Sequence, residues 1–372
     1  MNKKIAITGG GTGGHVFPAL AVAEALREKD KNIDLLWIGE THSFEERACK
    51  ESNIDIRFYP ILGGKLRRYF SLKNFLDFFK FFIGLFQSLF LLKKQKVYKV
   101  FSKGGYVALP VVLAAWVLRI PVVIHDSDSV PGMTTKISAR FAEKICLCFQ
   151  GAKKHFSKNL YSKIYLTGLP IRQEITEWVG RGTEAKKRIH KKYFSSEKLG
   201  CPIIFILGGS QGALAINKAL LQSLNNIVEK TCVLHLTGAG KSEAVSIPQK
   251  YKKRYQSLEF ISDPSELAMF YAAADLIIMR SSSAILEASL FTQNLLLVPL
   301  PSAAGNHQEK NAKEFISKNP SAVILAQEPP SFSELLKKEI LLGIAQKPLA
   351  SIPKSIHKDK KNAAREIIQF LL

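Results

Sequence analysis

Short apolar runs recur along the chain, each followed by a segment long enough for a helix. In the first half they are Ile5–Thr8, Asp34–Ile38, Val97–Ser102, Pro121–His125, Lys144–Cys148 and Ile164–Thr167. A second series follows at Ile203–Leu207, Cys232–Leu236, Leu258–Ile261, Asp275–Met279 and Leu295–Val298. The runs are continuously apolar, which suits parallel strands covered by helices on both faces. Two such series predict an α/β protein of two doubly wound units. The charged stretch Glu174–Gly200 breaks the pattern near the expected junction, and 372 residues suffice for two cores.

Each series opens on a glycine turn. Gly9-Gly10-Gly11-Thr12-Gly13-Gly14-His15 follows the first strand and precedes the helical run from Pro18, and Gly208-Gly209-Ser210-Gln211-Gly212-Ala213 follows Ile203–Leu207. A strand, a glycine turn and a helix N-terminus present free backbone N–H groups to an anion or a sugar phosphate. The first turn has neither the dinucleotide-binding spacing nor the Lys-Ser/Thr of a Walker loop. Taken alone, it could equally be a tight strand-to-helix connection.

Composition narrows the partners. The formal net charge is +22, from 53 Lys plus Arg against 31 Asp plus Glu. That excess favours an anionic partner: nucleic acid, an acidic membrane surface or a phosphorylated substrate. Cys49, Cys146, Cys148, Cys201 and Cys232 lack metal-ligand spacing and read as reduced thiols of a cytosolic protein. The first apolar run is too short for the core of a secretory leader. Phe75–Leu92 is nearly long enough to span a bilayer, but Asp77, Lys80 and Gln87 interrupt it. On a helical period Phe75, Phe78, Phe79, Phe82, Phe86, Leu89 and Phe90 share a face. Lys65, Arg67, Arg68 and Lys73 precede this segment and Lys93, Lys94, Lys96 and Lys99 follow it. An apolar face with a basic collar fits an interfacial helix on an anionic membrane. The competing reading is a helix that covers the sheet.

Five motifs occur in order: Gly10-Gly11-Thr12-Gly13-Gly14-His15-Val16-Phe17-Pro18, Gly104-Gly105-Tyr106-Val107, Ile120–His125, Gly208–Ala213, and His307-Gln308 with Asn311. Together they resemble the MurG family of peptidoglycan N-acetylglucosaminyltransferases. The resemblance implies a GT-B fold, two Rossmann-like domains with a cleft between them. It also implies inverting transfer of N-acetylglucosamine from its UDP donor (UDP-GlcNAc) to the C4 hydroxyl of the muramyl sugar of lipid I, giving lipid II. The expected place is the cytoplasmic face of the inner membrane, with peripheral attachment through Phe75–Leu92 and no metal or cofactor. Residues 1–168 would form the acceptor and membrane domain and 169–354 the donor domain, with the tail 355–372 packing back on the first. Cell-wall synthesis or division proteins are expected partners, and nucleic acid is not.

By the same resemblance, Thr12, Gly13 and Gly14 approach the reacting centre. Ser210 meets the donor phosphates with Gln211 beside it in the substrate site, Arg172 contacts the donor, and Glu287 binds the ribose, with Ala284, Ile285 and Leu286 in its loop. The backbone of Ile261 reads uracil, and Gln308 contacts the donor sugar. For the base that takes the C4 proton, His15 leads because histidine titrates near neutrality. His125 is its rival, and Asp126 and Asp128 are carboxylate alternatives. The chain departs from the family pattern at His125-Asp126-Ser127-Asp128, where His-Glu-Gln-Asn is usual, at Leu169, and in a shortened loop over 280–287. Asp128 there replaces an amide with an acceptor-only group, which puts its donor-sugar contact in doubt. Two other readings stand beside this one. A glycolipid synthase of the same fold would glycosylate diacylglycerol, and a non-enzymatic basic protein would leave the glycine turns without a purpose.

Overall fold

A computed structural model describes residues 3–64, 72–194, 200–209, 212–243, 245–328, 330–345 and 363–372. The chain divides into two compact units, Met1–Arg172 with Asp359–Leu372, and Gln173–Lys358. The division falls just past the junction expected at 168/169 and before the charged stretch.

In the first unit the strands are β1 (Lys4–Thr8), β2 (Asp34–Glu40), β3 (Ile56–Ile61), β4 (Lys99–Ser102), β5 (Val122–Asp126), β6 (Lys144–Leu147) and β7 (Ile164–Leu166). They form one parallel sheet in the order β3-β2-β1-β4-β5-β6-β7. The helices are α1 (Gly13–Lys29), α2 (Phe44–Glu51), α3 (Leu72–Gln95), α4 (Ala108–Val117) and α5 (Met133–Ser138). Alternate strand residues serve opposite faces, which is why the runs are apolar throughout. Ile5, Ile7, Leu35, Trp37, Phe101 and Val123 pack with α1. Ala6, Leu36, Ile38, Val100, Val122 and Ile124 pack with α4. The C-terminal helix Ala363–Gln369 joins the α1 face through Ile367, Ile368 and Leu371. The Lys3 and Lys99 ammoniums donate to the Leu372 and Phe370 carbonyls at 2.7 Å each.

In the second unit the strands are β8 (Ile203–Leu207), β9 (Cys232–Leu236), β10 (Tyr255–Leu258), β11 (Leu276–Met279), β12 (Leu295–Leu297) and β13 (Val323–Ile324). They are again parallel, in the order β10-β9-β8-β11-β12-β13. The helices are α6 (Gln173–Thr176), α7 (Gly182–Tyr193), α8 (Leu214–Val228), α9 (Pro264–Ala273), α10 (Ala284–Ala288), α11 (His307–Ile316) and α12 (Phe332–Ala345). Ile204, Ile206, Ile278 and Leu296 pack against α8 and α12. Phe205 turns to the other face and meets Phe270 and Tyr271 of α9 edge-on.

The sequence reading misses β3 and β13 and displaces β10. All three are outer strands, β3, β10 and β13 at sheet edges, where one side lacks a paired neighbour. β3 carries Arg57, Tyr59 and Pro60, so no continuous apolar run marks it. The strand expected at Leu258–Ile261 lies instead at Tyr255–Leu258, because pairing of Tyr255 with Val233 through Leu258 with Leu236 fixes its register.

Helix α3 is two-sided. Leu85, Leu89 and Leu92 pack with the α4 cluster, and the Gln87 Oε1 accepts from the Leu62 N–H at 2.8 Å. A Cβ on Gly84 would lie 2.1 Å from the Leu62 carbonyl oxygen, so only glycine permits this approach. The opposite side exposes Phe75, Phe78, Phe79, Phe82, Phe86 and Phe90, by 41 to 68%. One side of the segment therefore covers the sheet, as the competing reading expects, with Leu89 on this side and not on the phenylalanine face, while the phenylalanine side is exposed. Among the described residues no helix is long and apolar enough to cross a membrane. Lys65, Arg67 and Arg68 of the basic collar lie outside the described residues, as does the side chain of Lys73, whereas Lys93, Lys94 and Lys96 are exposed.

Candidate active site

In the first sheet the chain reverses direction between β1 and β4, and ligands of open α/β sheets gather at the carboxyl edge of such a switch point. Three loops meet there. The Gly9–Gly14 turn leaves β1, the Lys103-Gly104-Gly105 turn leaves β4, and the His125–Asp128 loop leaves β5. The two glycine turns touch backbone to backbone. The Gly10 N–H donates to the Gly104 carbonyl at 3.3 Å, and a Cβ on Gly105 would fall 2.4 Å from the Gly10 carbonyl oxygen. Gly105 also holds φ +86°, where a side chain is strained.

Beneath the first turn lies Glu45, fully buried in the first turn of α2. Its carboxylate accepts from the Gly11 N–H at 3.3 Å and the Glu40 N–H at 3.4 Å. The Tyr106 hydroxyl donates to the Glu40 carboxylate. This frame shapes the turn from below. Its residues lie far from the motif in sequence, so the turn's spacing does not reveal them.

His15 stands at the mouth of the turn, partly exposed. Its Nδ1 lies 3.0 Å from the Thr12 hydroxyl, and the ring bonds to the Gly10 backbone. Burial behind the turns, then the Lys103 ammonium, lower its pKa to about 3, against the Gly10 bond. The free imidazole is thus neutral and weakly basic. His125 is fully buried, with Nε2 at 2.9 Å from the Gly168 carbonyl and 3.5 Å from Cys148 Sγ. Burial, then the Lys103 ammonium, hold its pKa well below the ordinary value, against the Gly168 bond.

The Asp126 carboxylate is committed to its own loop. Oδ1 accepts from the Asp128 N–H at 3.0 Å and Oδ2 from the Gly132 N–H at 3.2 Å. Burial, then the like charge of Asp128, raise its pKa, against Lys103 and Thr135. Asp128 is partly exposed at the loop's tip. Lys103, only 2% exposed, lies against the glycine turn, its Cβ 2.9 Å from where a Cβ on Gly9 would stand, and burial lowers its pKa, against Asp126 first, then Cys148 and Asp128. The sequence reading passes over it, although a lysine ending an apolar strand beside two glycines is an available signal. Arg172 reaches back to the first turn of α1, its guanidinium 4.2 Å from the Phe17 ring centroid, and Leu169 is buried.

The second unit repeats the arrangement, with the switch between β8 and β11. Gly209 holds φ +82° after β8, and a Cβ on Gly212 would lie 2.2 Å from the Thr237 carbonyl oxygen. Ser210 and Gln211 lie outside the described residues. Ile261 lies past β10 and is 8% exposed. Ala284, Leu286 and Glu287 are partly exposed in α10 after β11, whereas Ile285 is wholly buried, so its side chain belongs to the core. The Gln308 Oε1 accepts from the Leu300 N–H at 2.9 Å. Asn311 donates to the Ser281 carbonyl at 3.1 Å. Buried Arg280 braces the loops by donating to the carbonyls of Val298 and Pro299 and to Gln327, and desolvation lowers its pKa to about 10. All these positions lie past the carboxyl ends of strands.

Residues 5–147 match the glycosyltransferase family 28 N-terminal domain, and residues 203–370 match the family's C-terminal domain. The chain is similar to the UDP-N-acetylglucosamine–N-acetylmuramyl-(pentapeptide) pyrophosphoryl-undecaprenol N-acetylglucosamine transferase of Legionella pneumophila strain Paris. Identity is 37% over 348 residues, covering 93% of this chain and 89% of the relative. A Bacillus anthracis protein of the same description, numbered 2, is 35% identical over 90% of each chain. The crystal structure of Acinetobacter baumannii MurG superposes with a TM-score of 0.64 at 26% identity, covering 99% of this chain and 98% of that one.

Proposed function

The chain belongs to glycosyltransferase family 28, and from that premise we propose how its two glycine-turn edges divide the work of one sugar transfer. The protein is a UDP-GlcNAc-dependent transferase that glycosylates lipid I to give lipid II. Residues 1–168 receive the acceptor, 169–354 hold the donor, and the segment 355–372 belongs with the first unit. The observation that carries this reading is the convergence of Thr12–His15 and Asp126–Asp128 on one switch point.

In the transfer, the C4 hydroxyl of the muramyl sugar attacks the anomeric carbon of N-acetylglucosamine as UDP leaves, inverting that carbon. The backbone of Thr12, Gly13 and Gly14 faces the reacting end. Ser210 takes the donor phosphates with Gln211 beside it, Arg172 balances the leaving UDP, Glu287 accepts from the ribose hydroxyls, the Ile261 backbone reads the uracil, and Gln308 contacts the sugar. Ala284 and Leu286 line the ribose loop, in which Ile285 serves as a core anchor. A guanidinium suits a leaving diphosphate because it stays charged and binds two oxygens at once.

His15 takes the C4 proton. Its low pKa in the free protein suits this role only if bound diphosphate raises it, as a nearby anion does for an imidazole. Asp126 and Asp128 are the alternative acceptors, and Asp128 is the more open of the two. The exposed phenylalanine side of α3 with Lys93, Lys94 and Lys96 rests on an anionic membrane surface, which supports a peripheral place on the cytoplasmic side of the inner membrane. Cell-wall synthesis or division proteins are the partners expected there.

The donor assignment is tested by Arg172→Ala and Glu287→Ala. Each should weaken use of UDP-GlcNAc by about 2–4 kcal/mol of transition-state binding with the fold intact. Unchanged kinetic constants for the donor in both variants would sink it.

A further inference from the structure

The five cysteines are all thiols, and two of them touch. Cys201 lies two residues ahead of β8, and Cys232 opens β9. Cys232 pairs with Ile203 across the ladder, and its N–H donates to the Pro202 carbonyl at 2.8 Å. The register of the two strands therefore brings together residues 31 positions apart, with their sulfurs at 3.2 Å. That separation is only about 1 Å longer than a disulfide bond. The two thiols differ in access, since Cys201 is partly exposed and Cys232 is fully buried. Cys49 and Cys146 are buried in the first unit, and Cys148 lies 3.5 Å from His125.

An oxidant from solvent meets Cys201 before Cys232, and the Cys232 sulfur already stands within reach of whatever forms there. We propose that Cys201 and Cys232 are an oxidisable pair, in which hydrogen peroxide converts Cys201 to a sulfenic acid and Cys232 resolves it to a disulfide between the amino ends of β8 and β9. In the first step the Cys201 thiolate attacks the peroxide, the O–O bond breaks, and the released hydroxide leaves as water. In the second the Cys232 sulfur attacks the sulfenic sulfur, the S–S bond forms as the S–O bond breaks, and a second water leaves. Two thiols and one peroxide thus give one disulfide and two waters, the sulfurs losing the two electrons that the peroxide gains. Gly208 and Gly209 follow the opposite, carboxyl end of β8, so the staple forms away from the second glycine turn. Closing a loop of this length restricts the unfolded chain more than the folded one, and oxidation therefore stabilises the unit.

The full chain is treated with hydrogen peroxide at pH 8, where an ordinary thiol is partly thiolate. It is then denatured, alkylated with N-ethylmaleimide and analysed by intact mass and peptide mapping, with and without dithiothreitol. Two of the five thiols should escape alkylation, the cross-linked peptides should contain Cys201 and Cys232, and the reductant should restore both. With dimedone present, C232S should carry the adduct on Cys201, and C201S should carry none on Cys232. The oxidised protein should melt at least about 3 °C above the reduced one, and C201S should show no such rise. Five alkylated thiols after peroxide, a disulfide that joins other cysteines or two chains, or sulfinic acid on Cys201 without the cross-link would overturn the pair. So would a dimedone adduct on Cys232 in C201S, or oxidised protein that melts no higher. The cross-link needs no sugar substrate, so its failure leaves the transferase reading standing, and a chain that transfers nothing still decides on the cross-link.

Discussion

Replacing His15 separates a catalytic base from a mere staple of the glycine turn. In the structure the ring does staple, with Thr12 Oγ1 at 3.0 Å and a bond to the Gly10 backbone. His15→Ala removes both contacts and should cost about 1 kcal/mol of stability for each. If the ring also takes the C4 proton, kcat should fall by about 10²–10⁴-fold, the usual worth of a positioned base. His15→Gln is the sharper tool, since an amide can keep both hydrogen bonds but cannot take a proton. Its kcat should fall nearly as far as that of the alanine variant, with KM for the donor little changed. The folded imidazole has a pKa of about 3, against about 6.5 in an unfolded chain. Below pH 6.5 the unfolded state therefore binds a proton that the folded state refuses. Stability falls as pH drops from 6.5 toward 3, by up to about 1.4 kcal/mol per pH unit. Urea unfolding at pH 5 and 7.5 should show a smaller difference in His15→Gln than in the unaltered protein. Stopped transfer assays with both variants across pH 5–9 complete the experiment. Near-normal turnover with an unchanged pH profile in His15→Gln would refute the base and move the role to Asp126 or Asp128.

Two further outcomes follow from the geometry. Replacing Phe78 and Phe86 with serine should release the protein from anionic vesicles while activity on a short-chain acceptor survives. The loss should be on the order of 2–4 kcal/mol of membrane binding, with each basic residue near the surface adding about 1 kcal/mol that salt removes. Co-sedimentation checks it, and binding that ignores both the serines and the salt would contradict it. Gly105→Ala should lower Tm and activity together, because φ +86° and the Gly10 carbonyl 2.4 Å from the new Cβ both oppose it. The αL strain alone is worth about 1–2 kcal/mol.

Interior strands are legible in the sequence because both of their faces are buried. β8 and β9 coincide with the apolar runs Ile203–Leu207 and Cys232–Leu236, while β3, with Arg57 and Pro60, carries no such run. The glycine turns are legible because a backbone-on-backbone contact such as Gly105 on Gly10 leaves no choice of residue. What surrounds those turns is not. Glu45 reaches the turn from α2, and nothing in the local sequence says that one acidic residue of Phe-Glu-Glu points inward while the next accepts from the His42 N–H at 2.7 Å. The commitment of Asp126 to its own loop, and the full burial of His125 and Ile285, are likewise set by tertiary packing, which spacing cannot express.

The most direct test of the whole account offers the purified protein several UDP-sugars with a lipid I analogue or diacylglycerol and identifies the products by mass. Transfer of a single N-acetylhexosamine to the lipid I analogue from UDP-GlcNAc is the expected result. A hexose delivered to diacylglycerol, or no transfer from UDP-GlcNAc while another UDP-sugar reacts, would contradict it.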